Sequence, residues 1–146
     1  MEIPEELKKE LLSELEFIIK KMAEETDISR KMYFFTATYG AIGRVLRYHS
    51  NNELTMAHAL LTICYNTLND RINRLKGGDA AVPLPENWSE QLIDYLSEFK
   101  KAIQENRSTY PALEKITRLS YTATGAGYYD YVYLDSLKSR ESSQEG

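Results

Sequence analysis

Apolar residues recur at three- and four-residue spacing through most of the chain, and this period constrains the fold more than any other feature. Residues at that spacing return to one face of an α-helix, whereas a half-buried strand repeats every second position. The first such stretch covers about residues 4–25. Its apolar stripe consists of Leu7, Leu11, Leu15, Ile18 and Met22. The pattern predicts an amphipathic helix there.

The same period predicts further helices over about residues 29–49, 51–76, 88–106 and 111–138. Residues 26–29 have the composition of a break followed by an N-cap, and residues 50–53 and 87–90 have the pattern of capping boxes. Gly77 and Gly78 end the third helix and open a loop, residues 77–86, with two prolines. We therefore predict an all-α, up-and-down bundle of about five helices with one long mid-chain loop. A single domain spans residues 1–138, and the polar residues 139–146 form a disordered tail.

Composition limits the classes of partner. The net charge of −4 gives no general attraction to nucleic acid or to anionic membranes, so neither is expected as a partner. No apolar run approaches the length that spans a bilayer, and the acidic first residues do not resemble a secretory signal. The one cysteine, Cys64, excludes an internal disulfide. A cytoplasmic location is the expectation.

The sequence contains none of the common catalytic or metal-binding motifs that we sought. Neither His49 nor His58 has a glutamate three residues before it, as di-iron bundles require, and no phosphate-binding glycine loop occurs. We expect no metal site and no cofactor. Cys64 lies on the apolar stripe of the third helix, which is typical of a buried, inert thiol. His58, Tyr65 and Asn69 fall near one line of that helix, and they form either a hydrogen-bonded polar seam between helices or part of a binding site.

Two segments begin alike, residues 35–43 (FTATYGAIG) and residues 121–127 (YTATGAG). They indicate either a duplicated ligand-binding half or a place where small residues let two helices approach closely, and we favour close packing. The helix contact would use small residues on both sides: Ala37, Ala41, Ala123 and Gly127. The same alignment sets Arg44 opposite Asp130, which predicts an ion pair within the chain or between subunits.

Tyrosine is concentrated near the C-terminus, where five of the eleven tyrosines lie between positions 121 and 133. The segment YYDYVYL has strand-like composition, but the stripe Ile116, Ser120, Ala123, Gly127, Tyr131 and Leu134 keeps helical spacing, so we predict helix. Aromatic residues then surround that helix, and tyrosine is enriched at protein interfaces. The sequence predicts a homo-oligomer interface at Tyr128, Tyr129, Tyr131, Val132 and Tyr133.

Residues 69–76 (NDRINRLK) become basic toward the end of the third helix. Cations there complement the partial negative charge of a helix C-terminus. An anion or nucleotide-phosphate site is the other interpretation, although no second basic cluster supports it.

The outline of four long helices, a crossover-like loop and a fifth helix resembles the bundle of cobalamin adenosyltransferases, and it also fits an archaeal group of helical bundles. The phrase at residues 132–137 (VYLDSL) is similar to a late helix of such enzymes. The arginine-rich nucleotide-binding motif of that family is not visible, because the region has only Arg107 and Arg118. The resemblance implies an oligomeric bundle and transfers no site residue.

Two functional hypotheses follow. A self-associating structural or interaction protein predicts a filled bundle interior without a concave polar pocket. A small-molecule or nucleotide-binding enzyme, cobalamin-adenosyltransferase-like in type, instead predicts a cleft lined by tyrosines, with Arg44, His58 or Arg118 converging on it.

Overall fold

The computed structural model describes residues 2–77 and 84–122, and within those residues it contains five α-helices and no strand. The helices are α1 (Glu5–Glu24), α2 (Ile28–Leu46), α3 (Asn52–Lys76), α4 (Trp88–Gln104) and α5 (Tyr110–Thr122). The predicted all-α class is confirmed. The C-terminal half of the predicted fifth helix, residues 123–138, and the tail, residues 139–146, lie outside the described residues.

Side-chain caps fix two of the helix starts. Asp27 accepts a hydrogen bond from the backbone N–H of Arg30 at 3.0 Å, so the predicted break at residues 26–29 does cap α2. Asn51 accepts from the backbone N–H of Leu54 at 2.9 Å and caps α3. The predicted capping box had Ser50 in that role, so the N-cap falls one residue later.

The predicted cap of α4 is weaker than its sequence indicates. Asn87 occupies the N-cap position of α4 but makes no side-chain bond to the helix backbone. Its Oδ1 atom instead accepts from Nε2 of Gln91 at 3.2 Å. The capping-box pattern at residues 87–90 therefore locates the helix start correctly, without the cap geometry.

The five helices form a closed ring in the order α1, α2, α3, α5, α4, and each described helix contacts two neighbours. The start of α1 lies at the end of α4, where Nζ of Lys8 donates to Oδ1 of Asn106 at 3.0 Å. Consecutive helices alternate in direction, in agreement with the predicted up-and-down bundle. This alternation makes α3 and α5 parallel. The two helices are neighbours in the ring, and Cys64 of α3 lies beside Thr117 of α5.

The inward stripes of all five helices meet in one hydrophobic core. Phe35 of α2 and Phe99 of α4 are its largest fully buried apolar side chains. Together with the buried leucines and isoleucines they fill the centre of the ring. Contacts between adjacent helices alone would leave that centre open. None of the described helices combines the length and the apolar character required to cross a bilayer.

Candidate functional site: an aromatic groove and a buried arginine

An apolar groove of about 530 Å³ runs between α1 and α2. Phe17 of α1 and Tyr33 of α2 stand on it with 56% and 70% of their surfaces exposed. Phe34 packs edge-on against Tyr33, with 5.8 Å between ring centroids, and Nζ of Lys21 lies 5.5 Å from the ring centre of Phe17. Three aromatic rings thus gather on one face of the bundle, where large apolar patches commonly mark interaction sites.

The small residues of α2 line or adjoin this groove. Ala37 is half-buried in the groove wall, and Ala41 is buried one turn further along α2. Within the described residues, α2 contacts α1 and α3. Ala123 and Gly127, the predicted partners of these alanines, lie outside the described residues, so that close contact stays a prediction.

Arg44 closes one end of the groove and forms an ion pair with Glu14 of α1. Both side chains are substantially exposed, so the pair adds little stability, typically below about 1 kcal/mol. Its effect is to leave the groove without net charge. Asp130 lies outside the described residues, and the predicted pair between Arg44 and Asp130 stays a prediction.

His58 and Tyr65 of the predicted polar seam lie in an aromatic cluster where α3 meets α2. The ring of Tyr39 is 6.1 Å from His58 and 6.1 Å from Tyr65, centroid to centroid. A Cβ atom added to Gly43 would stand 3.4 Å from Nε2 of His58, so α2 approaches the imidazole closely there. Burial, and secondarily the neighbouring Tyr65, raises the pKa of the Tyr39 hydroxyl. Asn69 follows on the same helix and is half-buried.

Arg44 and His58 lie against different neighbours. Arg44 pairs with α1, whereas His58 contacts α2 from the side of α3. The cleft required by the second hypothesis, in which these side chains converge, is not formed by the contacts that either residue makes.

Cys64 is buried between α3 and α5. Its Sγ atom donates to Oγ1 of Thr117 at 3.8 Å. Burial raises the pKa of the thiol, and hydrogen bonds with Ser120 and Thr117 offset part of that rise. A buried thiol with a raised pKa is a poor nucleophile, and this agrees with the inert interpretation.

The sequence interpretation missed the position of Arg71. It was grouped with the basic end of α3, but its side chain is fully buried in the core, with 0% exposure. None of its three guanidinium nitrogens has a hydrogen-bond partner among the described residues. The stripe itself could have revealed this position, because Ala57, Cys64 and Arg71 follow one another at seven-residue intervals on the inward face. An unpaired charge in such a place costs several kcal/mol.

Two smaller apolar openings lie elsewhere on the bundle. One, between α3 and α5, includes the exposed side chains of Met56 and Tyr110. The other lies at the end of α3 and includes Ile28, Leu75 and Trp88. Among residues 2–77 and 84–122, no group of three histidine, cysteine or acidic side chains is placed to hold a metal ion.

Comparison of the chain with protein-family models, curated proteins and solved structures gives no match. The resemblance to cobalamin adenosyltransferases, and the archaeal group with it, is therefore not confirmed. The chain is an all-α helical bundle. The predicted tyrosine interface, Tyr128 to Tyr133, lies outside the described residues.

Proposed function

We propose that this protein is a cytoplasmic, self-associating helical bundle with a structural or interaction role, and that it acts without nucleic acid or membrane partners. The observation that carries the proposal is the aromatic groove between α1 and α2, where Phe17 and Tyr33 remain exposed beside Phe34. Aromatic side chains of this kind are the usual anchors of protein interfaces, because each buries a large area at a low cost in side-chain entropy.

A second copy of the chain is the proposed occupant of this groove, and the charges of the lining residues support it. Glu14 and Arg44 are the charged residues that line the groove, and they are paired, so the lining has no net charge that would repel an identical groove. In a two-fold symmetric dimer the same surface meets itself, and such a contact favours a self-complementary patch. The tyrosines predicted at residues 128–133 would extend the contact in the same assembly.

Light scattering coupled to size-exclusion chromatography, over a dilution series, tests the proposal. The double variant Phe17→Ser/Tyr33→Ser removes the two exposed anchors of the groove. In a two-fold dimer each truncated anchor is lost from both copies, and each loss costs about 1–2 kcal/mol of association energy. Four lost side chains should therefore raise the dissociation constant roughly 1,000-fold or more. The matched control is Tyr48→Ser, because Tyr48 is 80% exposed but is not among the residues that line the groove.

A second variant, Tyr129→Ser/Tyr133→Ser, separates the tyrosine segment from the groove. Loss of association in this variant alone would place the interface at the C-terminal tyrosines and would remove the groove from the proposal. A wild-type chain that is monomeric at every concentration would contradict self-association altogether.

The alternative function is a small-molecule or nucleotide-binding enzyme, and the buried guanidinium of Arg71 is the observation that favours it. A thermal-shift screen over nucleotides and cobalamins tests this alternative, since ligands stabilise the state that they bind. An unchanged unfolding midpoint with every nucleotide and cobalamin would leave the interaction role as the function.

A further inference from the structure

Arg71 lies on the inward stripe of α3, between the fully buried Leu68 and the buried Ile72. An arginine near a helix end usually extends its guanidinium into water while its carbon stem covers apolar surface. Arg71 does not, because each of its guanidinium nitrogens is inaccessible to solvent. The guanidinium is thus enclosed in the bundle rather than placed at its surface.

No described group forms a hydrogen bond or an ion pair with Arg71. Asp70, the acidic residue next to it on α3, forms an i,i+4 ion pair with Arg74 at 3.1 Å. The buried hydroxyls of Thr38 and Ser120 donate to carbonyls of their own helices, at 2.7 and 2.8 Å. No described carboxylate lies within ion-pair distance of Arg71.

We propose that Arg71 is the anchor of an interior anion site, and that the guanidinium binds a carboxylate or phosphate group supplied from outside the described residues. A guanidinium cannot lose its proton in a protein, so burial does not neutralise it as it would a lysine. Its planar fork of N–H donors matches two oxygens of a carboxylate or phosphate at once. An oxyanion therefore satisfies both the charge and the orphaned donors.

Two sources can supply this chemistry. One is a free small anion bound in the bundle. The other is an acidic side chain of the chain's own C-terminal residues, of which Asp130 and Asp135 are the first two after Thr122. The site is independent of the self-association proposed above, because Arg71 is buried whereas Phe17 and Tyr33 are exposed.

Thermal unfolding of the full chain distinguishes these sources. Inorganic phosphate, acetate and succinate are titrated separately in a low-salt buffer against wild type, Arg71→Met and Arg74→Met. Arg74→Met is the matched control, because it removes the same charge from the same helix at a side chain that is 52% exposed. Asp130→Asn and Asp135→Asn are measured in parallel.

A free anion predicts a saturable rise of the wild-type and Arg74→Met midpoints, with no response in Arg71→Met. At a hundred-fold excess over the dissociation constant the rise should be roughly 5–10 °C. A chain carboxylate predicts no response to added anions. It predicts instead that Arg71→Met and one of the two asparagine variants unfold at lower temperature, with non-additive effects when they are combined. Either pattern supports the anion site.

The proposal is overturned if Arg71→Met unfolds at higher temperature than wild type while no added anion shifts the wild-type midpoint. That result would mean that Arg71 is an uncompensated buried charge. If Arg71→Met does not fold, NMR of the Arg71 Nε–H resonance in wild-type protein tests the anion site instead. A shift on phosphate titration, or on the Asp130→Asn or Asp135→Asn substitution, supports the site, and an unchanged resonance in all of these overturns it.

Discussion

Gly40 and Gly43 lie one turn apart in the middle of α2, and their surroundings predict different effects of adding a methyl group. A Cβ atom at Gly40 would meet no heavy atom of the described residues within 4 Å. Alanine is favoured over glycine in a helix interior by about 0.8–1 kcal/mol. With no steric cost to set against it, Gly40→Ala should raise the free energy of unfolding by about that amount.

For a chain of this length about 1 kcal/mol corresponds to a rise of roughly 2–4 °C in the unfolding midpoint. Gly43→Ala has the same helix-propensity gain, but its Cβ atom would stand 3.4 Å from Nε2 of His58. The imidazole has to yield slightly, so the gain at Gly43 should be smaller than the gain at Gly40. Differential scanning calorimetry of both variants at equal concentration measures the difference.

A Gly40→Ala variant that unfolds below wild type would refute this reasoning, because it would mean that another group packs against Gly40 in solution. Dilution then identifies that group. An effect that disappears on dilution indicates a second copy of the chain, whereas a concentration-independent effect indicates the predicted close contact with Ala123 and Gly127.

Three further outcomes are expected. Asn51→Ala should lose about 1 kcal/mol of stability, because the Asn51 side chain caps α3. Asn87→Ala should lose much less, because the Asn87 side chain makes no cap hydrogen bond to α4, and urea unfolding of the two variants measures the difference. Glu14→Gln should change the free energy of unfolding by less than about 1 kcal/mol, since its pair with Arg44 is exposed, and a double-mutant cycle with Arg44→Gln measures the coupling. Cys64 should resist aromatic disulfide reagents until the chain is unfolded. Burial holds the pKa of the Cys64 thiol in the folded protein above its ordinary value of 9.0. The stability that the neutral thiol contributes is therefore fully present below pH 9 and is lost as the pH rises through the folded-state pKa. Cys64→Ala should reduce this alkaline loss of stability.

The helices could be predicted because each is determined by its own sequence. Period, caps and breakers are local, and they located the starts of α2, α3 and α4 to within about one residue. Which two helices lie beside each helix in the ring is not determined by local sequence. That α5 lies between α3 and α4 depends on which apolar stripes fit together, and this information is not contained in any single stripe.

Exposure of the aromatic residues was the least predictable part of the candidate site. By helical spacing Phe34, Ala37, Ala41 and Tyr48 share one apolar face of α2, and that pattern alone indicates a face covered by a neighbouring helix. In the structure Ala41 is buried, Phe34 and Ala37 are half-buried at the groove with α1, and Tyr48 is left in solvent. An apolar stripe can be wider than the surface that the neighbouring helix covers. The sequence pattern is then the same whether a second subunit or water contacts the uncovered part.

Arg71 shows the same limit for charge. The hypothesis of an interaction protein predicts a filled interior, and the described core agrees with it at its apolar positions. The hypothesis of a ligand-binding protein predicts a tyrosine-lined cleft on which Arg44, His58 or Arg118 converge. Arg71 was not part of that prediction, yet it is a buried cation without a hydrogen-bond partner among the described residues. No described hydroxyl accepts a hydrogen bond from Arg71, and those of Thr38 and Ser120 donate to carbonyls of their own helices. An oxyanion must therefore approach Arg71, or the chain must tolerate the unpaired charge. The identity of that oxyanion, a side chain or a free ligand, is what separates the two functions.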